Sequence, residues 1–252
     1  MKKIFFFLVF PTMLYARPVA YTELLKYVQM APDQGSTGTC LYVASTGAME
    51  LLANKKNNIE DPLPGGKFDL AESFLIHAPP ITSTGKSWFE KPVLRFNNGF
   101  GIHISSWPFD PWDDGVANQE VWTEQMMDEM TKVALFPIET KKILEKGNRY
   151  STEVLSVKDL AEIREMMWKY KSPVVVNYND NNFWHVVLLV GYDSRLNGDC
   201  YQITKEECNE TMGSFYVRDS FGPTIEIRDY DWFRVKGNAA FMVIEKGQQP
   251  AN

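Results

Sequence analysis

The chain is poor in the two residues that most often do chemistry: among 252 residues there are three cysteines and three histidines. Three cysteines make no disulfide framework, and a chain this long can bury enough apolar surface to fold without one. Basic charge is also short. Against 32 Asp and Glu stand 26 Lys and Arg, a net −6 at neutral pH, and an acidic surface argues against nucleic acid as a partner. No apolar run reaches the roughly 18 residues that a membrane helix needs, so the mature chain should have no membrane span. There is no internal repeat and no low-complexity segment. No His/Cys spacing suits zinc, so no metal and no cofactor is expected. Gly85-Lys86-Ser87 is not a phosphate loop, because Pro80 stands where the upstream glycine should be and no strand precedes it.

The N-terminus has a processing signal. Met1-Lys2-Lys3, the apolar stretch Ile4 to Phe10 and the small residue at the end of Leu14-Tyr15-Ala16 have the three-part form of a secretory leader. Residues 1–16 are therefore expected to be removed and the remainder exported, periplasmic or secreted; the compact, lysine-started leader points to a bacterial host. Export implies an oxidising compartment. Cys200 and Cys208, separated by seven residues in a polar stretch, are then expected to close a small loop. That leaves Cys40 as the odd thiol, either protected or used.

Cys40 stands at a junction. Asp33-Gln34-Gly35-Ser36-Thr37-Gly38-Thr39 is a loop of small residues, and after it Leu41, Ala44, Ala48, Leu51 and Leu52 recur with helical spacing. The pattern predicts a buried helix with Cys40 in its first turn, where unpaired N–H groups should lower the thiol pKa. Gln34 is placed to donate a hydrogen bond beside the sulfur, and the Cys40 N–H would be a second donor.

The first half continues with a polar connection at 57–67, a capping-box pattern at Asp69-Leu70-Ala71-Glu72 opening a short helix, and an irregular aromatic stretch over 81–116. Helical spacing returns at Val121 to Val133, and again at Lys158 to Lys169 with Ser156 as N-cap. Five strand patterns follow: Pro173 to Tyr178, Trp184 to Tyr192, Ser214 to Asp219, Pro223 to Arg228 and Ala239 to Glu245. No crossover helix separates the last four, so the sheet should be mainly antiparallel. The fold class is α+β, with a helical lobe over 17–116 and a β-rich lobe over 117–252.

Two residues of the β half can complete the thiol chemistry. His185 heads the apolar strand Val186-Val187-Leu188-Leu189-Val190-Gly191-Tyr192, which would hold an imidazole rigidly. Asp219 ends another strand, followed by Ser220-Phe221-Gly222; its carboxylate could accept from the far ring nitrogen while Phe221 shields the bond.

These three blocks, in this order, resemble the papain-like cysteine proteases. The family's Gln-Gly-x-Cys-Gly-Ser-Cys block is matched at Gln34, Gly35, Gly38 and Cys40, and its His-Ala-Val-x-x-Val-Gly-Tyr block at His185 to Tyr192. Its Asn-Ser-Trp-Gly block is echoed by Asp219 to Gly222. His185 lies 145 residues after Cys40, within the roughly 130–150 typical of the family. Weaker echoes are Ser172-Pro173-Val174 and Trp107-Pro108-Phe109, and Gly85 resembles the glycine that pairs with substrate. The resemblance implies a two-lobed fold with the cysteine helix on one side and the histidine sheet on the other.

It also implies an exported peptidase, expected to be monomeric, that hydrolyses polypeptides through a Cys40–His185–Asp219 triad and an acyl-enzyme. Gln34 would complete the oxyanion hole, and Gly85 and Trp184 would line the substrate groove. Several positions depart from the pattern. Thr37 replaces a disulfide cysteine, Leu41 and Phe221 replace tryptophans, and Asp219 replaces asparagine, either of which can orient an imidazole. Residues 17–39 leave no room for an inhibitory proregion, so restraint would come from location, a protein inhibitor or regulator, or a closed groove. Two alternatives keep the fold: an inactive peptide- or protein-binding module, and a thiol acyltransferase or deamidase acting on a protein.

Overall fold

A computed structural model describes residues 18–36, 38–72, 75, 90–97, 137–147, 153–180, 183–196 and 212–251. Gly85, Cys200, Cys208, the leader, the helical pattern at 121–133 and the 116/117 lobe boundary lie outside them. Four α-helices are described: α1 (Cys40–Lys56), α2 (Lys91–Asn97), α3 (Val157–Tyr170) and α4 (Tyr230–Lys236). Strands β1 (Ala20–Tyr21), β2 (Ile138–Glu145), β3 (Val174–Asp180), β4 (Phe183–Asp193), β5 (Ser214–Arg218), β6 (Ile225–Asp229) and β7 (Gly237–Glu245) form one sheet. The order is β2-β7-β3-β4-β5-β6, with β1 added on β4, and every pairing is antiparallel. The α+β class and the antiparallel sheet expected from the sequence are both present. Among the described residues no helix is long and apolar enough to cross a membrane.

The sheet is built around β4, which is buried continuously from His185 to Asp193. Its alternation is apolar on both faces, the pattern of a central strand rather than a half-wet one. Helix α1 packs on β3, β4 and β7, while α3 and α4 pack on β2, β3, β6 and β7. Near its end β4 bulges between Leu189 and Gly191. There a Cβ at Gly191 would meet the Tyr21 carbonyl at 2.8 Å, so glycine is what lets β1 cross.

Local chemistry sets the helix ends. Ser156 and Asp159 form a full capping box on α3, as the sequence suggested for Ser156. The structure corrects one other reading and adds two elements. The stretch 81–116 is not wholly irregular: Lys91–Asn97 is helical, with Pro92 in the first turn where its missing N–H costs nothing. Arg95 of α2 then donates to Leu75 O and Tyr42 Oη. Strand β2 was not anticipated, because Lys141-Lys142 breaks its alternation. Helix α4 was not either, being only two turns long.

One buried charge ties the halves together. Arg218, 2 % exposed, donates to Gln29 O (2.6 Å), Val43 O (2.9 Å) and Met30 O (3.3 Å), with Glu50 at 3.5 Å and Glu72 at 4.0 Å. Glu50 also accepts from Leu70 N at 2.8 Å. Gly47 allows this: a Cβ there would sit 2.3 Å from Arg218 Nη1 and 2.6 Å from Cζ. Because several backbone carbonyls pin the guanidinium, it cannot swing away. Gly47→Ala should therefore lower stability by about 1–3 kcal/mol, the usual range for overpacking; an unchanged denaturant midpoint would mean that Arg218 yields.

Burial pushes the Glu72 carboxyl from its ordinary 4.5 up to about 7, against the opposing charge of Arg218. Glu50 is raised too, by burial and then by the charge of Glu72. A raised carboxyl binds its proton more tightly in the folded chain than in the unfolded one. Its stabilising effect is thus full below about 4.5 and is lost as pH rises to about 7. Melting temperature should fall across that window, and Glu72→Gln should flatten the slope; identical slopes would remove Glu72 as the cause.

Candidate active site

Cys40 opens α1, as its sequence pattern predicts. The N–H groups of Val186 on β4, of Leu41 and of Cys40 itself face the sulfur and favour its charged form, the last two having no carbonyl partners one turn back. The cysteine therefore lies against the residue that follows His185. The anticipated drop in thiol pKa does not occur. Cys40 is 2 % exposed, and burial pushes the thiol up to about 12, aided by the charge of Asp219 and only partly opposed by those three N–H groups. The helix-start effect is real but smaller than the cost of desolvating a thiolate.

His185 is fully buried. Its ring is stacked by Phe221 (centroids 4.9 Å, 15°) and by Phe183 (5.7 Å, 21°), with Tyr178 edge-on at 5.4 Å. Tyr178 is its direct partner across β3 and β4. Nε2 lies 2.7 Å from Asp219 Oδ1, while Nδ1 is buried with no hydrogen-bond partner among the described residues. An ionised carboxylate only accepts, so Nε2 carries the proton and a neutral ring presents Nδ1 as a base.

Asp219 has both oxygens engaged. Oδ1 also accepts from Ser220 N at 2.7 Å, and Oδ2 accepts from Arg228 Nη2. Burial pushes this carboxyl up, but the His185 hydrogen bond, the charges of His185 and Arg228 and the Ser220 N–H together hold it below the usual carboxylate range. Gln34 is brought to the same place from the other half of the chain. It is buried, its N–H donates to Ser220 O at 2.7 Å, and its neighbour Asp33 bridges Phe221.

The structure thus gathers Cys40, His185, Asp219 and Gln34. Trp184 alternates to the opposite side of β4 from His185 and packs half-buried against the core; the ring that β4 lays on His185 is that of Phe183. Sequence reasoning missed Phe183, Tyr178 and Arg228. A signal for Phe183 existed, since it sits two residues before His185 on the same strand face. Among the described residues no cluster of three or more His, Cys, Asp or Glu could hold a metal.

A buried thiol, an imidazole with one nitrogen anchored and the other unpartnered among the described residues, and a carboxylate behind it can together perform nucleophilic acyl chemistry. No family model matches the sequence, and no curated protein matches it. Solved structures do match. Xylellain, a cysteine protease from Xylella fastidiosa, is 12 % identical with TM-score 0.57, covering 91 % of this chain and 87 % of its own. Digestive procathepsin L 3 from the larval midgut of Tenebrio molitor is 15 % identical with TM-score 0.55, covering 95 % and 72 %. Bromelain from Ananas comosus, in complex with the E64 inhibitor, is 11 % identical with TM-score 0.51, covering 93 % and 99 %. This chain has the papain-like fold that these cysteine proteases share.

Proposed function

We propose that the chain is an exported cysteine peptidase that cleaves polypeptides through a thiol acyl-enzyme. The observation that supports it best is the state of His185: one nitrogen is bound to Asp219 and the other has no hydrogen-bond partner among the described residues, on the strand whose next residue, Val186, turns its N–H toward the Cys40 sulfur. In the cycle Nδ1 takes the Cys40 proton and the thiolate attacks the scissile carbonyl. The leaving amine departs with that proton. Water then gives a proton to Nδ1, attacks the acyl carbon and releases the acid, and the proton returns to sulfur. Asp219 orients the ring throughout, and the Gln34 amide with the Cys40 N–H stabilises the oxyanion. Gly85 would pair with the substrate backbone, and Trp184, on the far side of β4 from His185, would brace the groove wall from behind. The Cys200–Cys208 bridge and the leader at 1–16 belong to the same proposal, as fittings for an oxidising compartment.

Polypeptide as the substrate class is supported by the fold neighbours, which are proteases. With the thiol held up to about 12 by burial, activation depends on the imidazolium formed beside it, not on the helix start. Substrate entry must also uncover sulfur and ring. That burial favours one competing reading, a binding module that keeps the residues without turnover.

Incubating the mature chain, reduced and near neutral pH, with an epoxysuccinyl thiol trap separates the two. One adduct on Cys40, absent from Cys40→Ser, is the expected result; an unmodified Cys40 in a folded chain decides for the binding module. Gln34→Ala should lower kcat by about 10²–10³-fold, the effect of losing one oxyanion donor, with KM little changed. An unaltered kcat would take Gln34 out of the oxyanion hole.

A further inference from the structure

Strand β6 is built inside out. Ile225 and Ile227 face solvent, 38 % and 57 % exposed, while on the alternate positions the Arg228 side chain is only 17 % exposed and that of Glu226 is 41 %. Burying charge and exposing isoleucine is unfavourable unless the charge has a task. The Arg228 guanidinium reaches past the hairpin to Asp219 Oδ2, is held by Glu226 through Nε (2.8 Å) and Nη2 (2.6 Å), and lies over the rings of Trp232 (4.9 Å) and Tyr178 (5.8 Å). Tyr178 in turn is the edge-on neighbour of His185.

We propose that Arg228 is a positioning residue of the active site, acting through Asp219: it fixes the carboxylate with Oδ1 toward His185 and balances its charge. This rests on the peptidase reading of Cys40 and His185. Two consequences follow from the chemistry of the groups. First, the site becomes a line of alternating charge in the working state: Cys40 thiolate, His185 imidazolium, Asp219, Arg228, Glu226. The groups facing this line are Cys40 from α1, Tyr178 from β3, His185 from β4, Asp219 after β5, and Glu226 with Arg228 from β6. Without the Arg228 charge, the two carboxylates act unopposed on the imidazole and favour its protonated form.

Second, Arg228 explains why an aspartate stands at 219. A side-chain amide in its place could still accept from Nε2 with its oxygen, but its NH₂ would then point at the guanidinium, donor against donor. On this proposal Asp219 and asparagine are not interchangeable as long as Arg228 is present.

Arg228→Gln, Asp219→Asn and the double variant test this, with two readouts on the mature chain: the NMR titration of the His185 imidazole and the pH dependence of Cys40 alkylation by iodoacetamide. Arg228→Gln should raise the imidazole midpoint by about one pH unit, the size of shift that one nearby charge produces. Asp219→Asn alone should slow alkylation more than about tenfold, and the double variant, in which the glutamine oxygen can accept from the new amide, should recover most of that loss. An unmoved midpoint in Arg228→Gln, or Asp219→Asn reacting like wild type, would overturn the proposal. Should Arg228→Gln not fold, Arg228→Lys decides. It keeps the charge but not the planar fork, so a midpoint near wild type with slower alkylation supports the role, and unchanged alkylation refutes it. If the wild-type chain fails to take the epoxysuccinyl label, the peptidase reading falls, yet the imidazole titration still decides whether Arg228 tunes His185.

Discussion

Everything at the site hangs on a guanidinium that water does not reach. Arg218 comes from the sheet and ends among backbone carbonyls of the cysteine helix and the segment before it, facing Glu50 and Glu72. Breaking such a buried pair from one side leaves an uncompensated charge, a loss of about 3–5 kcal/mol, so the arrangement tolerates little drift. Asp219 is the next residue. Its place relative to Cys40 is therefore inherited from Arg218, and the following residues extend the seam: Ser220 O accepts from Gln34 N, and Phe221 bridges Asp33. Acid, oxyanion donor and nucleophile helix are held by one continuous contact between distant parts of the chain.

The imidazole is the second element of this seam. Three aromatic rings and a carboxylate enclose His185, and among the described residues its other nitrogen has no hydrogen-bond partner. Enclosure has opposite effects on the two reactive groups. It strengthens the His185–Asp219 bond by keeping water out, and it holds the proton on Cys40 by disfavouring an isolated thiolate. A thiolate is stable here only as one half of an ion pair, which couples the nucleophile to the charge of His185 and, through Asp219, to Arg228.

Much of this was legible along the chain. The apolar spacing after Cys40, the Ser156 cap and the continuous apolar run after His185 are local signals, and α1, α3 and β4 follow them to within one or two residues. The ordered blocks around Cys40, His185 and Asp219 pointed to one fold with three short motifs. Strand β2 and helices α2 and α4 were not legible. Each is short or carries charge where alternation is expected, and each is held by its neighbours: α2 by Arg95 on Tyr42 and Leu75, β2 by its ladder to β7. Strand β6 misleads outright, because its isoleucines look like the inward face and are the outward one.

The sequence by itself determined which reactive groups the chain has, their order, and the helix and strand that present them, because periodicity and capping act over a few neighbouring residues. Only the tertiary structure decided the protonation of Cys40, the rings that enclose His185 and the pairing of Asp219 with Arg228. Those depend on burial and on contacts between segments far apart in the chain, and desolvation, which outweighs the local helix effect on the thiol, exists only once the sheet and α1 have closed on each other.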